Sequence, residues 1–131
     1  MKTPKDLGFI FPAEWEKHES TWLSYPHNEN SWPDKIETIF PSYNQFIAEV
    51  SKGEKVNINE KKKKMQDKVL AELQEIGTKM ENIYFHQFRT NDAWCRDHGP
   101  AFVLKSNQKA IVNWDYNAWG GKYPCELDNQ I

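Results

Sequence analysis

The spacing of hydrophobic side chains predicts two helices in the first 80 residues. Apolar residues recur at helical spacing over residues 34–51, which predicts an amphipathic helix that ends at Gly53. Helical spacing returns over residues 60–76, and Gly77 then stands where a helix end favours a left-handed residue. The apolar face of this second helix consists of Met65, Val69, Leu73 and Ile76.

Shorter segments have the composition of strands. Three of them are rich in β-branched and aromatic residues or alternate with a period of two, and a predicted hairpin follows them. The three strands are residues 20–25, 55–59 and 82–88, and the hairpin runs from 101–105 through a turn at 106–108 into 109–116. Residues 7–15 are apolar but interrupted by Gly and Pro, which predicts an irregular arm on the body of the fold. The order of elements predicts a mixed α/β fold.

Composition narrows the class of protein. The chain has 131 residues, of which 38% are hydrophobic and 14% aromatic, enough for one domain with a core. It carries 17 basic and 19 acidic residues, which argues against a nucleic-acid partner. The lysine run 61–64 is surrounded by acidic residues, so it predicts a solvated first helical turn rather than a phosphate site.

The sequence also predicts a cytoplasmic protein. No stretch is apolar and long enough to span a membrane, and residues 1–6 have no apolar segment behind their charges as a secretory signal would. The two cysteines, Cys95 and Cys125, are too few for a disulfide scaffold and are expected to be reduced. The four histidines have no partners at metal-ligand spacing, so we expect no metal.

Candidate chemistry concentrates in the loop 91–100, NDAWCRDHGP. One hypothesis is a nucleophilic Cys95 activated by His98. Catalytic thiol–imidazole pairs are usually assembled by the fold rather than by adjacent sequence, so an inert, half-buried cysteine beside Trp94 is favoured.

The second hypothesis for this loop is binding of a cation. The carboxylate of Asp97 can accept two parallel hydrogen bonds from a planar guanidinium, and the face of Trp94 can pack against it. The alternative is structural: Asp92 pairs with Arg96, and Asp97 caps the turn into Gly99. Local chemistry leaves both open.

Four motifs, in order over essentially the whole chain, resemble the agmatine deiminase / Porphyromonas-type peptidylarginine deiminase family. They are FPAEWEKHESTW at 11–22, YPHN at 25–28, TNDAWCRDHGP at 90–100 and YNAWGGK at 116–122. The resemblance implies the pentein fold, a five-bladed α/β propeller around a substrate channel. Residues 1–131 would then be a single N-terminal portion covering the first one to two blades.

The resemblance also implies a reaction. Family members convert agmatine and water to N-carbamoylputrescine and ammonia without a metal or organic cofactor: a cysteine thiolate attacks the guanidinium carbon, a histidine shuttles protons, and two acidic residues hold the cation. By motif match, Asp97 corresponds to one of those acidic residues, and Trp94 corresponds to a tryptophan of the substrate pocket. The segment 117–121 either lines the channel or forms a tight turn with a packed aromatic, and the turn is favoured.

The family's nucleophilic cysteine and His-x-Asp pair lie further along a chain more than twice this long. Cys95 occupies a position that varies in the family, and Cys125 matches no family role. We therefore expect this chain alone to be inactive, and its uncovered sheet edges predict marginal stability or association into a homo-oligomer. Two alternatives remain, a peptidylarginine deiminase that acts on C-terminal arginines and a non-catalytic α/β binding module.

Overall fold

A three-stranded parallel sheet forms the centre of the fold in the computed structural model, which describes residues 2–60 and 62–131. Its strands are β1 (Ser20–Ser24), β2 (Lys55–Asn59) and β3 (Ile83–His86), in the order β1-β2-β3. Parallel neighbours need a long crossover connection, and helices supply both crossovers here. The crossover helices are α1 (Ile36–Ser51) and α2 (Lys63–Glu75). The predicted α/β character is confirmed.

Both helices pack on one face of this sheet. Val56 and Ile58 alternate along β2, so their side chains point to the same side, and both are fully buried. They share one hydrophobic cluster with buried residues of α1 and α2. Those helix residues are Ile36, Phe40, Ile47, Val69 and Leu73. On the opposite face, Trp22 and Tyr84 are exposed. The sheet therefore has its core on one side only.

A buried polar relay ties the two helices together behind this core. The Tyr25 hydroxyl donates to Asn44 Oδ1 at 2.9 Å, and Asn44 Nδ2 donates to Glu72 Oε2 at 2.7 Å. Because buried polar groups without partners are costly, this relay satisfies the Asn44 side chain in the groove between α1 and α2.

The helices begin later than the sequence predicts. The first starts at Ile36 rather than at residue 34, because Asp34 has φ +57° and lies outside the helical region. The second starts at Lys63 rather than at residue 60, because Lys62 is extended and Glu60 donates its N–H to the His86 carbonyl instead. Residues 1 and 61, which the predicted N-terminal segment, second helix and lysine run include, lie outside the described residues.

Other boundaries differ at the hairpin. Strands β4 (Ala101–Lys105) and β5 (Gln108–Val112) pair antiparallel through a two-residue turn. Gln108, predicted in the turn, pairs with Lys105, and the second strand ends four residues before its predicted end. The third strand is also shorter than predicted, at Ile83–His86. The predicted arm is confirmed: Ile10 and Leu104 exchange two backbone hydrogen bonds of 2.8 Å.

Short turns complete the described structure. The predicted loop 91–100 contains one helical turn, α3 (Cys95–His98), and a second short turn, α4 (Ala118–Gly121), follows the hairpin. Three-residue 3-10 turns occur at Lys5–Leu7, Met80–Asn82 and Asp128–Gln130. None of the helices found within 2–60 and 62–131 has the length and apolar character needed to cross a membrane.

A matched pair of isoleucine truncations tests where the core lies. Ile58 is fully buried, whereas Ile111 on the hairpin is 61% exposed. We expect Ile58→Ala to lower the free energy of unfolding of the 131-residue chain by about 2–5 kcal/mol, because it leaves a cavity. Ile111→Ala should cost less than about 0.5 kcal/mol. Urea denaturation measures both, and equal losses would contradict the one-sided core.

Candidate functional site

A groove of about 770 Å³ opens where the chain leaves β1 and β3. Its walls come from the loop after β1, the loop after β3 and the segment after the hairpin. The lining residues are His27, Asn28, Glu29, Asn30, Ser31, Thr90, Asn91, Asp92, Trp94, Tyr116, Trp119, Lys122, Tyr123, Pro124 and Asp128. In open α/β sheets, ligands bind at the carboxyl ends of the strands, and this groove occupies that position.

The loop after β3 is held by a reciprocal pair of side chains, Asn91 and Asp128. Asp128 Oδ1 accepts the N–H of Asn91 at 2.7 Å and that of Asp92 at 3.5 Å. In return, Asn91 Oδ1 accepts the N–H of Leu127 at 2.8 Å and that of Asp128 at 3.3 Å. We call this set of four hydrogen bonds the Asn91–Asp128 clasp. It joins segments 36 and 37 residues apart in sequence.

A second set of contacts ties the same loop to the loop after β1. His27 Nε2 lies 3.1 Å from the Thr90 carbonyl oxygen. The side chains of Ser31 and Asn28 both donate to Asp92 Oδ2, and Asp92 Oδ1 accepts the N–H of Ala93. The structural alternative in which Asp92 pairs with Arg96 is therefore wrong. Arg96 instead pairs with Glu14 on the surface, where such a pair contributes little to stability.

Trp94 stands on the groove wall within a cluster of aromatic rings. Its indole stacks on Trp32 at 5.8 Å between centroids and meets Trp119 edge-on at 6.4 Å. It remains 38% exposed, so one part of the ring is free to contact a ligand. This is the location that a pocket-lining role requires, and the role itself stays a prediction.

Asp97 lies in α3, one helical turn beyond Trp94, and is exposed. Among the described residues, the groove wall includes Trp94 but not Asp97. The predicted turn cap is not formed, because the Gly99 N–H donates to the Cys95 carbonyl at 2.8 Å and closes the turn without the Asp97 side chain. No residue within 2–60 or 62–131 donates a hydrogen bond to the Asp97 carboxylate, which leaves both of its oxygens available.

Electrostatics link Asp97 to the groove through Tyr116. Burial raises the pKa of Tyr116 to about 12, and the negative charges of Asp97 and Asp128 add to that effect. Both carboxylates therefore lie within electrostatic range of one groove-lining hydroxyl. Carboxylates near an aromatic wall favour a cationic ligand.

Cys95 and His98 do not form a thiol–imidazole pair, so the nucleophilic hypothesis is wrong. Cys95 Sγ lies 3.0 Å from Ser24 Oγ at the end of β1, and burial raises the pKa of the thiol. His98 is only 3% exposed, neither ring nitrogen has a hydrogen-bond partner in the described structure, and burial lowers its pKa. A protonated thiol and a neutral, unpaired imidazole do not make an activated nucleophile.

The segment 117–121 combines a tight turn with a place on the groove wall. Four consecutive residues, 118–121, have positive φ, and the Asn117 side chain accepts the N–H of Gly120 at 3.0 Å. This tight turn is the favoured prediction, yet it also places Trp119 on the groove wall, 46% exposed. The Gly-Gly pair signals a left-handed turn, because glycine tolerates positive φ, whereas Asn117 has φ −114° and contributes through its side chain.

Asp128 lines the groove, but nothing in the sequence indicates that it belongs to a site. It is an isolated acidic residue in a polar segment, and its partners are 36 and 37 residues away. Within the described part of the chain, no three His, Cys, Asp or Glu side chains converge.

Comparisons with known proteins agree on one family. The model of the Porphyromonas-type peptidyl-arginine deiminase family matches residues 10–131. A putative agmatine deiminase of Selenomonas ruminantium is 32% identical over 124 residues, which are 92% of this chain and 32% of the relative. The chain therefore spans about a third of the length of that curated relative.

Solved structures give the same result for the fold. The agmatine deiminase of Enterococcus faecalis superposes with a TM-score of 0.84 at 27% identity, over 100% of this chain and 36% of that one. An agmatine deiminase of C. jejuni with substrate bound superposes with a TM-score of 0.76 at 31% identity, over 92% of this chain and 34% of that one. By family model, fold and motif order, the chain belongs to the agmatine deiminase / Porphyromonas-type peptidylarginine deiminase family.

Proposed function

We propose that the complete protein containing this chain is a guanidine deiminase that converts agmatine and water to N-carbamoylputrescine and ammonia. In this proposal, residues 1–131 are a single N-terminal portion that supplies the first one to two blades of a pentein propeller and part of the cation site. The observation that carries the proposal is the exposed carboxylate of Asp97, which accepts no hydrogen bond from the described residues and lies one helical turn from the groove-lining Trp94. The agmatine deiminases among its relatives and structural neighbours support it.

The chemistry of the substrate explains why these two residue types are needed. A guanidinium keeps its proton at any physiological pH, and its carbon is electrophilic because the group is cationic. The Asp97 carboxylate would accept two parallel N–H bonds from that cation, and the Trp94 ring would pack against it. Asp97 then acts by electrostatics and orientation, which fixes the carbon for attack, and not by proton transfer.

The attacking thiolate and the proton-shuttling histidine would come from outside residues 1–131, as the family resemblance implies. Cys95 does not replace the nucleophile, because its buried thiol carries a raised pKa and contacts Ser24. His98 does not replace the shuttle, because neither of its ring nitrogens has a hydrogen-bond partner among residues 2–60 and 62–131.

Deimination of peptidyl-arginine is the second candidate, and the description of the matching family model favours it. The charges of the groove argue the other way. Glu29, Asp92 and Asp128 line it against one lysine, Lys122. Such a surface suits agmatine, whose two ends are both cationic, better than an arginine that carries a carboxylate. Comparing kcat/KM for agmatine and for a peptide with C-terminal arginine separates the two.

Substitution of Asp97 tests the guanidinium assignment. Asp97→Asn keeps the shape but removes the charge and one acceptor oxygen, so we expect kcat/KM for agmatine to fall about a hundredfold or more in the complete protein. The melting temperature should hardly change, because the carboxylate has no hydrogen-bond donor in the described structure to lose. Steady-state kinetics and thermal melts measure the two effects.

The neighbouring Arg96 supplies the matched control. Arg96→Lys alters an exposed side chain of the same helical turn, one that pairs with Glu14, and should leave both kinetics and melting nearly unchanged. If Asp97→Asn kept near-normal kinetics, or lost activity only in proportion to unfolding, the guanidinium role of Asp97 would be wrong.

The 131-residue chain by itself tests whether the nucleophile lies outside residues 1–131. It should release no ammonia from agmatine, arginine or peptidyl-arginine, because the proposal places the nucleophile elsewhere. An ammonia-coupled assay on the purified chain, with Cys95→Ser as the comparison, measures this. Turnover that persists through purification and disappears in Cys95→Ser would make Cys95 the nucleophile after all.

A further inference from the structure

One carboxylate in the groove is buried yet only half used. Asp128 is 2% exposed, and its Oδ1 accepts the two backbone N–H groups of the clasp. No residue within 2–60 or 62–131 donates a hydrogen bond to Oδ2. This oxygen is nevertheless not fully enclosed by protein atoms. Asp128 lines the groove, so we expect the accessible part of Oδ2 to face it.

The other acidic groove residues are less suited to hold a ligand. Both oxygens of Asp92 are occupied by Ser31, Asn28 and the N–H of Ala93. Glu29 is exposed, so water and salt screen its charge. Asp128 combines low solvent access with a free oxygen, and a carboxylate in such surroundings interacts more strongly with a cation than an exposed one does.

Burial also means that a bound cation would stabilise the ionised form of Asp128. It raises the pKa of the Asp128 carboxyl, which means that burial destabilises the ionised form. His98, the nearby base, is itself disfavoured as a cation by burial. A positively charged ligand group at Oδ2 would supply the missing partner.

We infer that Asp128 is a second cation-binding residue of the groove, which receives the primary ammonium end of agmatine while Asp97 receives the guanidinium. Both carboxylates act on the Tyr116 hydroxyl, which places them within electrostatic range of one groove-lining side chain. Trp94 and Trp119 line the same groove and are suited to pack against the methylene chain between the two charges. The inference rests on the proposed function for the identity of the ligand.

A pair of ligands isolates the ammonium contact. Agmatine and n-butylguanidine share the guanidinium and the four-carbon chain, and only agmatine has the terminal ammonium. Binding to the complete protein is measured as the initial change in tryptophan fluorescence after rapid mixing, which does not depend on turnover. We expect the wild type to bind agmatine about tenfold or more tightly than n-butylguanidine, and Asp128→Asn to remove most of that preference.

The clasp provides the matched control. Asp128→Asn keeps a carbonyl oxygen that can accept the Asn91 N–H, so the loop should stay in place and n-butylguanidine affinity should change less than about twofold. Asn91→Ala removes the acceptor for Leu127 and Asp128 but leaves the Asp128 charge. It should weaken both ligands alike and preserve their ratio, as a purely structural role would.

The outcomes separate the two proposals. A preference for agmatine that Asp128→Asn retains, or a wild type with no preference, would overturn the role of Asp128. If Asp128→Asn loses the preference for agmatine while the wild type releases no ammonia from agmatine, the role of Asp128 is supported and the proposed function is contradicted.

If Asp128→Asn does not fold, the wild type is tested instead with ω-aminoalkylguanidines whose chains have three and five carbons. A fixed carboxylate predicts that the ammonium advantage peaks at one chain length, and equal advantage at all lengths would contradict it.

Discussion

The groove depends on side chains that replace a β-ladder. The loop after β3 leaves the parallel sheet at His86 and has no strand partner until the hairpin begins at Ala101. Its backbone is instead fixed from two sides, by the Asn91–Asp128 clasp and by the contacts of the loop after β1 with Thr90 and Asp92. Because each interaction satisfies a backbone or carboxylate group that would otherwise lack a partner, the loop can present Trp94 without a regular element beneath it.

Sequence periodicity predicts the fold well where burial is one-sided. The faces that carry Val69, Leu73 and Ile58 are the faces that form the core, since apolar spacing and packing obey the same geometry. The errors lie at element ends, where single backbone conformations decide. The positive φ of Asp34 and the extended backbone of Lys62 delay the start of both helices. Aspartate tolerates positive φ without requiring it, and lysine gives no local sign of an extended backbone.

The site is predictable only in part, because some of its residues share one short motif and others are placed by contacts that are distant in sequence. Trp94 and Asp97 stand in one short motif, so a sequence can single them out. Asp128 owes its place to hydrogen bonds with residues 36 and 37 positions earlier, and Trp119 owes its exposure to a left-handed turn. Tertiary partners of this kind leave no periodic trace, which is why local chemistry does not reveal the partners of Asp92 and Cys95.

The protonation state of the buried His98 affects the electrostatic potential of the groove. It sits directly after Asp97 and near Asp128, where a charged imidazolium would neutralise the negative potential that a cationic ligand needs. Burial lowers its pKa, so the ring is neutral at pH 7 and adds no positive charge beside Asp97 and Asp128. An unsatisfied buried histidine costs stability. In this position, that cost maintains an acidic site beside an aromatic wall, which is the combination that favours a cation over a neutral ligand.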